Sequence, residues 1–558
     1  MKKLYTFLFI LSVTSSVLMS QDRYLDEVFT DVTVTQNVVY GTNGTILFIA
    51  QEGEIVPQPL IMDVYEPAGD TEVDRPLVLM FHTGNFLPNV VNGQISGTLR
   101  DSAMVEMCTQ LARRGYVAAS VDYRAGWNPL AGSQPERAVG LIQAAYRGVQ
   151  DGRNAVRYMR SNMDTWGIDP DKITMWGNGT GGYLTLGTVG LSDYNEIPGT
   201  TNGPAKFVLD LFIGSPADGM QGQDGIPDTP MVIEAFHGDI NGEVLTVTPA
   251  DGSSAGFGLP PGDTTNYVNF AGVDNSFALQ VNVGGALGDI SWLNDNTTPT
   301  ISIQSAFDQF APYEDAVLVV PTTQEPVVRV QGAQLIGEAQ ESAGLNAMWK
   351  DAIFTDAITQ EAIGNSATAG HPYYEGVFPW IKPVNSNGID EGVVIDWWDP
   401  NAPSPANGPG MGAPWNMLPH PSGGTFDSNG ELLNENQSAE KARANIADIF
   451  SYVLPRACVA LELPCAANFL DTSTDEILVD AGMIISPNPA SQSIYISTDA
   501  DFMIGNLEIY SMDGKMLRNF SNLNTNSFNI ERNGLANGIY IIKAIFEEGI
   551  QTSKVVFE

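Results

Sequence analysis

The 558 residues carry 26 Lys and Arg against 65 Asp and Glu, a formal charge of −39 at pH 7. A surface this acidic repels phosphate backbones and anionic lipid, so nucleic acid and bare membrane are poor partners, and the charge favours solubility. The 43% hydrophobic content is enough for one large core and a satellite domain, while 56 Gly and 34 Pro imply many turns and long loops.

Met1-Lys2-Lys3 followed by the apolar run Leu4 to Leu18 reads as a signal peptide over residues 1–20, with a mature start near Gln21. No later stretch is apolar enough to cross a bilayer, so no transmembrane segment is expected in the mature chain. Cys458 and Cys465 lie close enough to bridge in an oxidising compartment. Cys108 shares a helical face with Met104 and Leu111 and is expected in the core. No metal-ligand spacing or calcium loop is found among the cysteines, the four histidines and the acids, so neither a metal nor a cofactor is expected.

In chain order, Val28 to Tyr40 reads as an edge strand or hairpin, and Ile61 to Tyr65 as a strand. Pro76 to Phe81 is a continuous apolar run, the signature of a strand buried on both faces. A helix from about Thr98 to Arg114 stops at Gly115, and Val117 to Tyr123 is the next strand. A longer helix spans about Glu136 to Met163. Ile173 to Trp176 then enters a glycine-rich turn followed by helical sequence, and Phe207–Ile213 and Pro299–Ile303 read as further buried strands. Such alternation predicts an α/β fold: a doubly wound, mostly parallel sheet covered by helices on both faces. Two long irregular stretches interrupt it, about 217–298 and 372–437, the second containing Trp380, Trp397, Trp398 and Trp415. Loops of that length are usually lids or binding loops. A helix from Ser438 to Leu454 closes a large domain over 21–465, and 466–483 reads as a linker. The last segment, 484–558, has short strands and turn pairs at Asp513-Gly514, Asn533-Gly534 and Asn537-Gly538, as expected for a small all-β sandwich.

The tail resembles the type A sorting domain of the type IX secretion system, through Ser486-Pro487-Asn488-Pro489-Ala490, Leu535-Ala536-Asn537-Gly538-Ile539-Tyr540 and the ending Lys554-Val555-Val556. The resemblance implies the type IX machinery as partner, passage through the outer membrane, removal of this domain, and release or attachment at the cell surface. The middle resembles the carboxylesterase branch of the α/β hydrolases, which includes feruloyl and acetylxylan esterases. The matching stretches are Met62 to Pro67, Phe81-His82-Thr83-Gly84-Asn85-Phe86 at the His-Gly-Gly loop, Gly115-Tyr116 through Arg124, and Ala155 to Ile173 leading into the nucleophile turn.

Acyl transfer on this fold needs a nucleophile on a sharp strand-to-helix turn, a histidine base, an orienting carboxylate and oxyanion donors. By resemblance Asp308 is the acid and His371 the base, with His420 the second choice. His82 belongs to the oxyanion loop, and His237 ends the strand-like run Met231 to Phe236. The oxyanion donors would be the backbone N–H groups of Gly84, Asn85 and Thr180. The turn itself reads Trp176-Gly177-Asn178-Gly179-Thr180-Gly181-Gly182, so Gly179 stands where the family has its serine. Three readings follow. The first is a hydrolase-fold protein that binds a small-molecule or carbohydrate ligand without the standard hydrolysis. The second is an active carboxylic-ester hydrolase with a displaced nucleophile, Thr180, or water activated by Asp308 and His371. The third is a structural surface protein.

Overall fold

The computed structural model describes residues 22–197, 206–209, 229–295, 297–308, 310–405, 412–470, 479–511 and 515–558. The signal sequence, Asp513-Gly514 and part of the 466–483 stretch lie outside them. The chain divides into two units, Met1–Leu470 and Asp471–Glu558.

The first unit is built on an eight-stranded sheet. Its strands are β1 (Val32–Thr45), β2 (Val56–Pro67), β3 (Arg75–Phe81), β4 (Val117–Val121), β5 (Ile168–Asn178), β6 (Leu279–Val283) and β7 (Thr300–Ser305). After a separate hairpin, β8 (Asp315–Val320) and β9 (Glu325–Gln331), β10 (Val377–Trp380) completes it. The spatial order is β1-β2-β4-β3-β5-β6-β7-β10, antiparallel at β1–β2 and β2–β4 and parallel from β4 onward. The helices are α1 (Ser102–Arg113), α2 (Gln134–Ser161), α3 (Thr180–Gly190), α4 (Ala333–Ala343), α5 (Ala357–Ala369) and α6 (Ala439–Ala460).

Strand periodicity explains the two layers. Leu77, Leu79 and Phe81 of β3 join a core with Val149 of α2 and Leu184 of α3, whereas Val78 and Met80 face the opposite core, with Met104 of α1 and Ile446 of α6. Cys108 is buried in that second core. The start of α2 is fixed by a capping box, Ser133 accepting from the Glu136 N–H and the Glu136 carboxylate returning to the Ser133 N–H.

Several elements differ from the sequence reading. The strand beside β5 is Leu279–Val283, inside the stretch 217–298 read as an insertion. Gln280 and Asn282 break its apolar run, but both are buried and bonded, Gln280 Nε2 to Thr185 Oγ1 (2.9 Å) and the Asn282 amide to Gly285 (2.9 Å). Of Phe207–Ile213, Val208–Leu209 pairs antiparallel with Thr229–Pro230 in a separate two-stranded ladder, and 210–213 lie outside the described residues. Met231–Phe236 is not a strand: Glu234–His237 is one helical turn. The 372–437 region contributes β10 and a helix, Phe426–Leu433. Its tryptophans serve as core: Trp380 is buried, and Trp415 packs with Val90, Leu418 and Phe426, against which Trp398 also leans. Helix α6 continues through Pro455, because Ala457, Cys458 and Val459 are buried beyond it and Cys458 is bridged to Cys465.

The second unit has two antiparallel sheets. One orders β11 (Ile484–Ser486), β12 (Ser493–Ser497) and β15 (Ser527–Glu531); the other orders β14 (Met516–Phe520), β13 (Asn506–Ser511), β16 (Gly538–Ile545) and β17 (Ile550–Phe557). Alternate residues Tyr540, Ile542 and Ala544 of β16 meet Ile494 and Ile496 of β12 in one shared core.

Candidate functional site

Strand β5 ends at Asn178 and α3 begins at Thr180, so the reversal falls on Gly179, with φ 52° and ψ −113°. That backbone region is strained for residues with a side chain. The turn is pinned over the sheet by the Gly179 N–H on the Val283 carbonyl (2.7 Å). Close packing demands the neighbouring glycine too: a Cβ on Gly181 would stand 2.1 Å from the Phe81 carbonyl oxygen. Sequence spacing therefore locates a sharp strand-to-helix turn.

The space over Gly179 is taken. A Cβ there would lie 2.4 Å from Thr83 Oγ1 and 3.0 Å from Thr83 Cβ, so the threonine of the loop after β3 fills the volume a nucleophile's side chain needs. In the sequence Thr83 is only a member of the loop that resembles His-Gly-Gly, and nothing local to it signals contact with a turn almost a hundred residues away.

Gly84, Asn85 and Thr180 are brought together. The Asn85 N–H, an expected oxyanion donor, is engaged by Thr180 Oγ1 at 2.7 Å. Asn85 and Phe86 hold φ of 55° and 52°, stabilised by Trp127 Nε1 on the Asn85 carbonyl (2.8 Å) and by Asn85 Nδ2 on Thr322 Oγ1 (3.1 Å). His82 is buried against the face of Tyr123, ring centroids 4.6 Å apart. Its Nδ1 donates to the Thr83 carbonyl (2.6 Å) and its Nε2 to Asp122 Oδ1 (3.2 Å). Burial opposes a charge on this ring, but the Asp122 bond and charge outweigh it and raise its pKa.

Beside His82 lies a pair of half-buried carboxylates that the sequence did not single out. Asp101 accepts from the Gly97 N–H (2.6 Å) and the Thr98 N–H (3.0 Å), and Asp396 from the Ala103 N–H (3.1 Å) at the start of α1. Burial, then the charge of Asp101, pushes the Asp396 carboxyl up to about 7.

The acid and base do not form the expected pair. Asp308, just beyond β7, turns Oδ1 onto the Phe310 N–H (2.7 Å) and the Ala311 N–H (2.9 Å), and burial raises its pKa despite these bonds. His371 follows Gly370, the left-handed cap of α5, and its Nε2 donates to Glu314 Oε1 at 2.8 Å, with the ring edge-on to Tyr313. Glu314, six residues past Asp308, thus takes the imidazole. His420 donates from Nε2 to the Gly93 carbonyl (3.0 Å) and accepts the Ser422 N–H at Nδ1 (3.1 Å), clasping one loop to another. Burial lowers the His237 pKa to about 4, and its Nδ1 accepts from the Ile233 N–H (3.1 Å). Among the described residues, therefore, none of the four histidines is hydrogen-bonded to a serine or threonine hydroxyl. Nor does any group of three or more His, Cys, Asp or Glu there suit a metal ion, and no helix is long and apolar enough to cross a membrane.

Behind Asn85 and Thr180 opens a cavity of about 130 Å3, walled by α2, α3 and the β8–β9 hairpin. The site thus combines a formed turn, an engaged oxyanion loop, an acid and a base each bonded to another partner, and an apolar hollow.

Residues 62–205 match the BD-FAE family, and residues 485–558 match the secretion system C-terminal sorting domain. The chain matches no curated protein. Among solved structures, it is similar to Thermogutta terrifontis esterase 2 phosphorylated by paraoxon, at 17% identity over 56% of this chain and 78% of that one, with a TM-score of 0.29. The butyrate-bound esterase of the same planctomycete is similar at 16% identity over 51% and 76%, with a TM-score of 0.26. The chain carries an esterase-like α/β-hydrolase domain of the BD-FAE family and a C-terminal type IX secretion sorting domain, which together make it a secreted esterase-like protein.

Proposed function

We propose that the hydrolase-like domain is a ligand-binding relative of the esterases that does not hydrolyse esters by the serine route. The observation that carries this reading is Gly179 with Thr83 seated over it: the turn has its shape, no hydroxyl of its own, and no room for one. Loss of such a nucleophile lowers turnover about a millionfold in a serine protease, and the remaining donors cannot replace it. Thr180 is a poor substitute, since its oxygen is occupied by the Asn85 N–H and no imidazole is bonded to it. The bonding of Asp308 to its own loop and of His371 to Glu314 also disfavours water activated by that pair. In the same proposal, residues 1–20 are removed on export, 466–483 links the domains, and 484–558 directs the chain through the type IX machinery before removal.

The test is turnover of short acyl esters by the secreted protein, together with labelling by a serine-directed phosphonate. Neither should exceed the background of heat-denatured protein. Clear turnover that disappears in His371→Ala contradicts the proposal. Mass spectrometry of the secreted chain should place its first residue at Gln21, and a retained residue 1–20 segment contradicts the export step.

A further inference from the structure

We infer that the Cys458–Cys465 bridge is a redox clasp: with both thiols reduced, residues 461–470 peel from the core while the sheet stays folded, and oxidation closes them down again. The inference concerns the end of the first unit and stands apart from the ligand-binding reading. The clasp sits where helix α6 gives out. Pro455, inside the helix, has no N–H and so removes one rung of the helical ladder just before the last turn. Past Ala460 the chain turns back. The Leu461 N–H returns to the Ala457 carbonyl (2.9 Å) and the Leu463 N–H to the Cys458 carbonyl (2.9 Å). Between them Glu462 holds a φ of 50°, a region that is costly for a residue with a side chain. A short tight helix, Pro464–Asn468, then brings Cys465 back to Cys458, seven residues away in sequence.

The hold differs on the two sides of the bridge. Before it, Arg456 is fully buried, paired with Glu375, stacked on Tyr452, and its carbonyl accepts from Trp349 Nε1 (2.9 Å). Beyond it, Leu461, Leu463 and Ala466 reach the second core, but Leu470 is exposed and ends the unit. The ties of this stretch to the rest of the unit are the Ile353 N–H on the Phe469 carbonyl (2.7 Å), the Asn468 amide on Asp22 Oδ2 (2.8 Å) and the Phe354–Phe469 ring pair. A chain end held this lightly opens at low cost, and a covalent tie withdraws freedom from the opened state. The release point therefore lies between Arg456 and Cys458. Closure passes two electrons and two protons from the thiols to a carrier of the protein-disulfide class: one thiolate attacks the carrier's S–S bond, the other displaces the mixed disulfide, and the carrier leaves as a dithiol. Such carriers belong to the oxidising compartments of a secretory route, so the clasp closes on export. Cys108 takes no part, because burial raises its pKa and keeps it an enclosed thiol.

The test is hydrogen–deuterium exchange of the full secreted chain, oxidised and after dithiothreitol, with intact mass confirming the two added hydrogens. On reduction, peptides covering 461–470 should exchange at least about tenfold faster, while those from β3 and β5 stay within about twofold. Oxidised glutathione should restore the slow exchange. The double variant Cys458→Ala/Cys465→Ala should match the reduced protein and ignore dithiothreitol; should the bridge withstand the reductant, this variant carries the same comparison. Unchanged exchange over 461–470 in the reduced protein or in the double variant overturns the inference. So does acceleration that spreads equally to β3 and β5, which makes the bridge a staple of the whole unit, and so does a double variant that still responds to dithiothreitol.

Discussion

Around Gly179 the backbone is held in place by contacts that leave no slack, whereas around His371 the side chains meet partners other than the Asp308–His371 pairing expected from the sequence. At the turn, Gly181 lies against the Phe81 carbonyl and the Gly179 N–H is fastened to β6. At the other side, His371 faces Glu314, which is largely exposed, and Asp308 caps its own loop. The difference teaches that close packing fixes a turn locally, while the partner a loop side chain meets is set by the path of that loop.

The frame that carries the turn should break hardest. Arg124, at the exit of β4 beside the residues that hold His82, is paired with Asp151, and both side chains are fully buried. Asp151→Ala should cost about 3–5 kcal/mol, because it leaves a buried guanidinium uncompensated, and chemical denaturation measures it. Gly181→Ala should cost less, about 1–3 kcal/mol, since its methyl must displace the backbone of β3; an unchanged denaturation midpoint contradicts the packing account.

A pH dependence follows from the half-buried carboxylates beside His82. The Asp396 carboxyl titrates near 7 in the folded protein against an ordinary value of 3.8. The folded state therefore holds a proton that the unfolded chain has released, and this contribution to stability falls as pH rises from about 4 to about 7 and is flat above. The melting temperature of the natural protein should fall more between pH 5 and pH 8 than that of Asp396→Asn, and equal changes contradict the assignment. The smallest effect belongs to the far side of the site. His371→Ala should cost no more than about 1 kcal/mol, as befits a partly exposed ion pair, and it should leave ester assays unchanged.

How much of this the sequence discloses depends on how far apart the interacting residues lie. The run Pro76–Phe81 announces a doubly buried strand because every residue in it is apolar. Leu279–Val283 conceals the same role behind Gln280 and Asn282, whose side-chain amide nitrogens find Thr185 and Gly285 only once the chain has folded. The turn at Gly179 is legible from glycine spacing, since the close approach is local to a few residues. Thr83 is not, because its contact joins the ends of β3 and β5. His371 is recognisable as a histidine after a helix cap, but its choice of Glu314 over Asp308 depends on the path of a loop that no periodicity describes.

The most direct test of the account is a double-mutant cycle on Gly179→Ser and Thr83→Gly, read by unfolding free energy. Thr83 occupies the volume a new side chain at the turn would enter, so Gly179→Ser alone should be destabilised by both strain and collision, and Thr83→Gly should relieve the collision with a coupling of about 1 kcal/mol or more. Additivity within about 0.5 kcal/mol would contradict it, placing Thr83 elsewhere and leaving the turn open to a nucleophile.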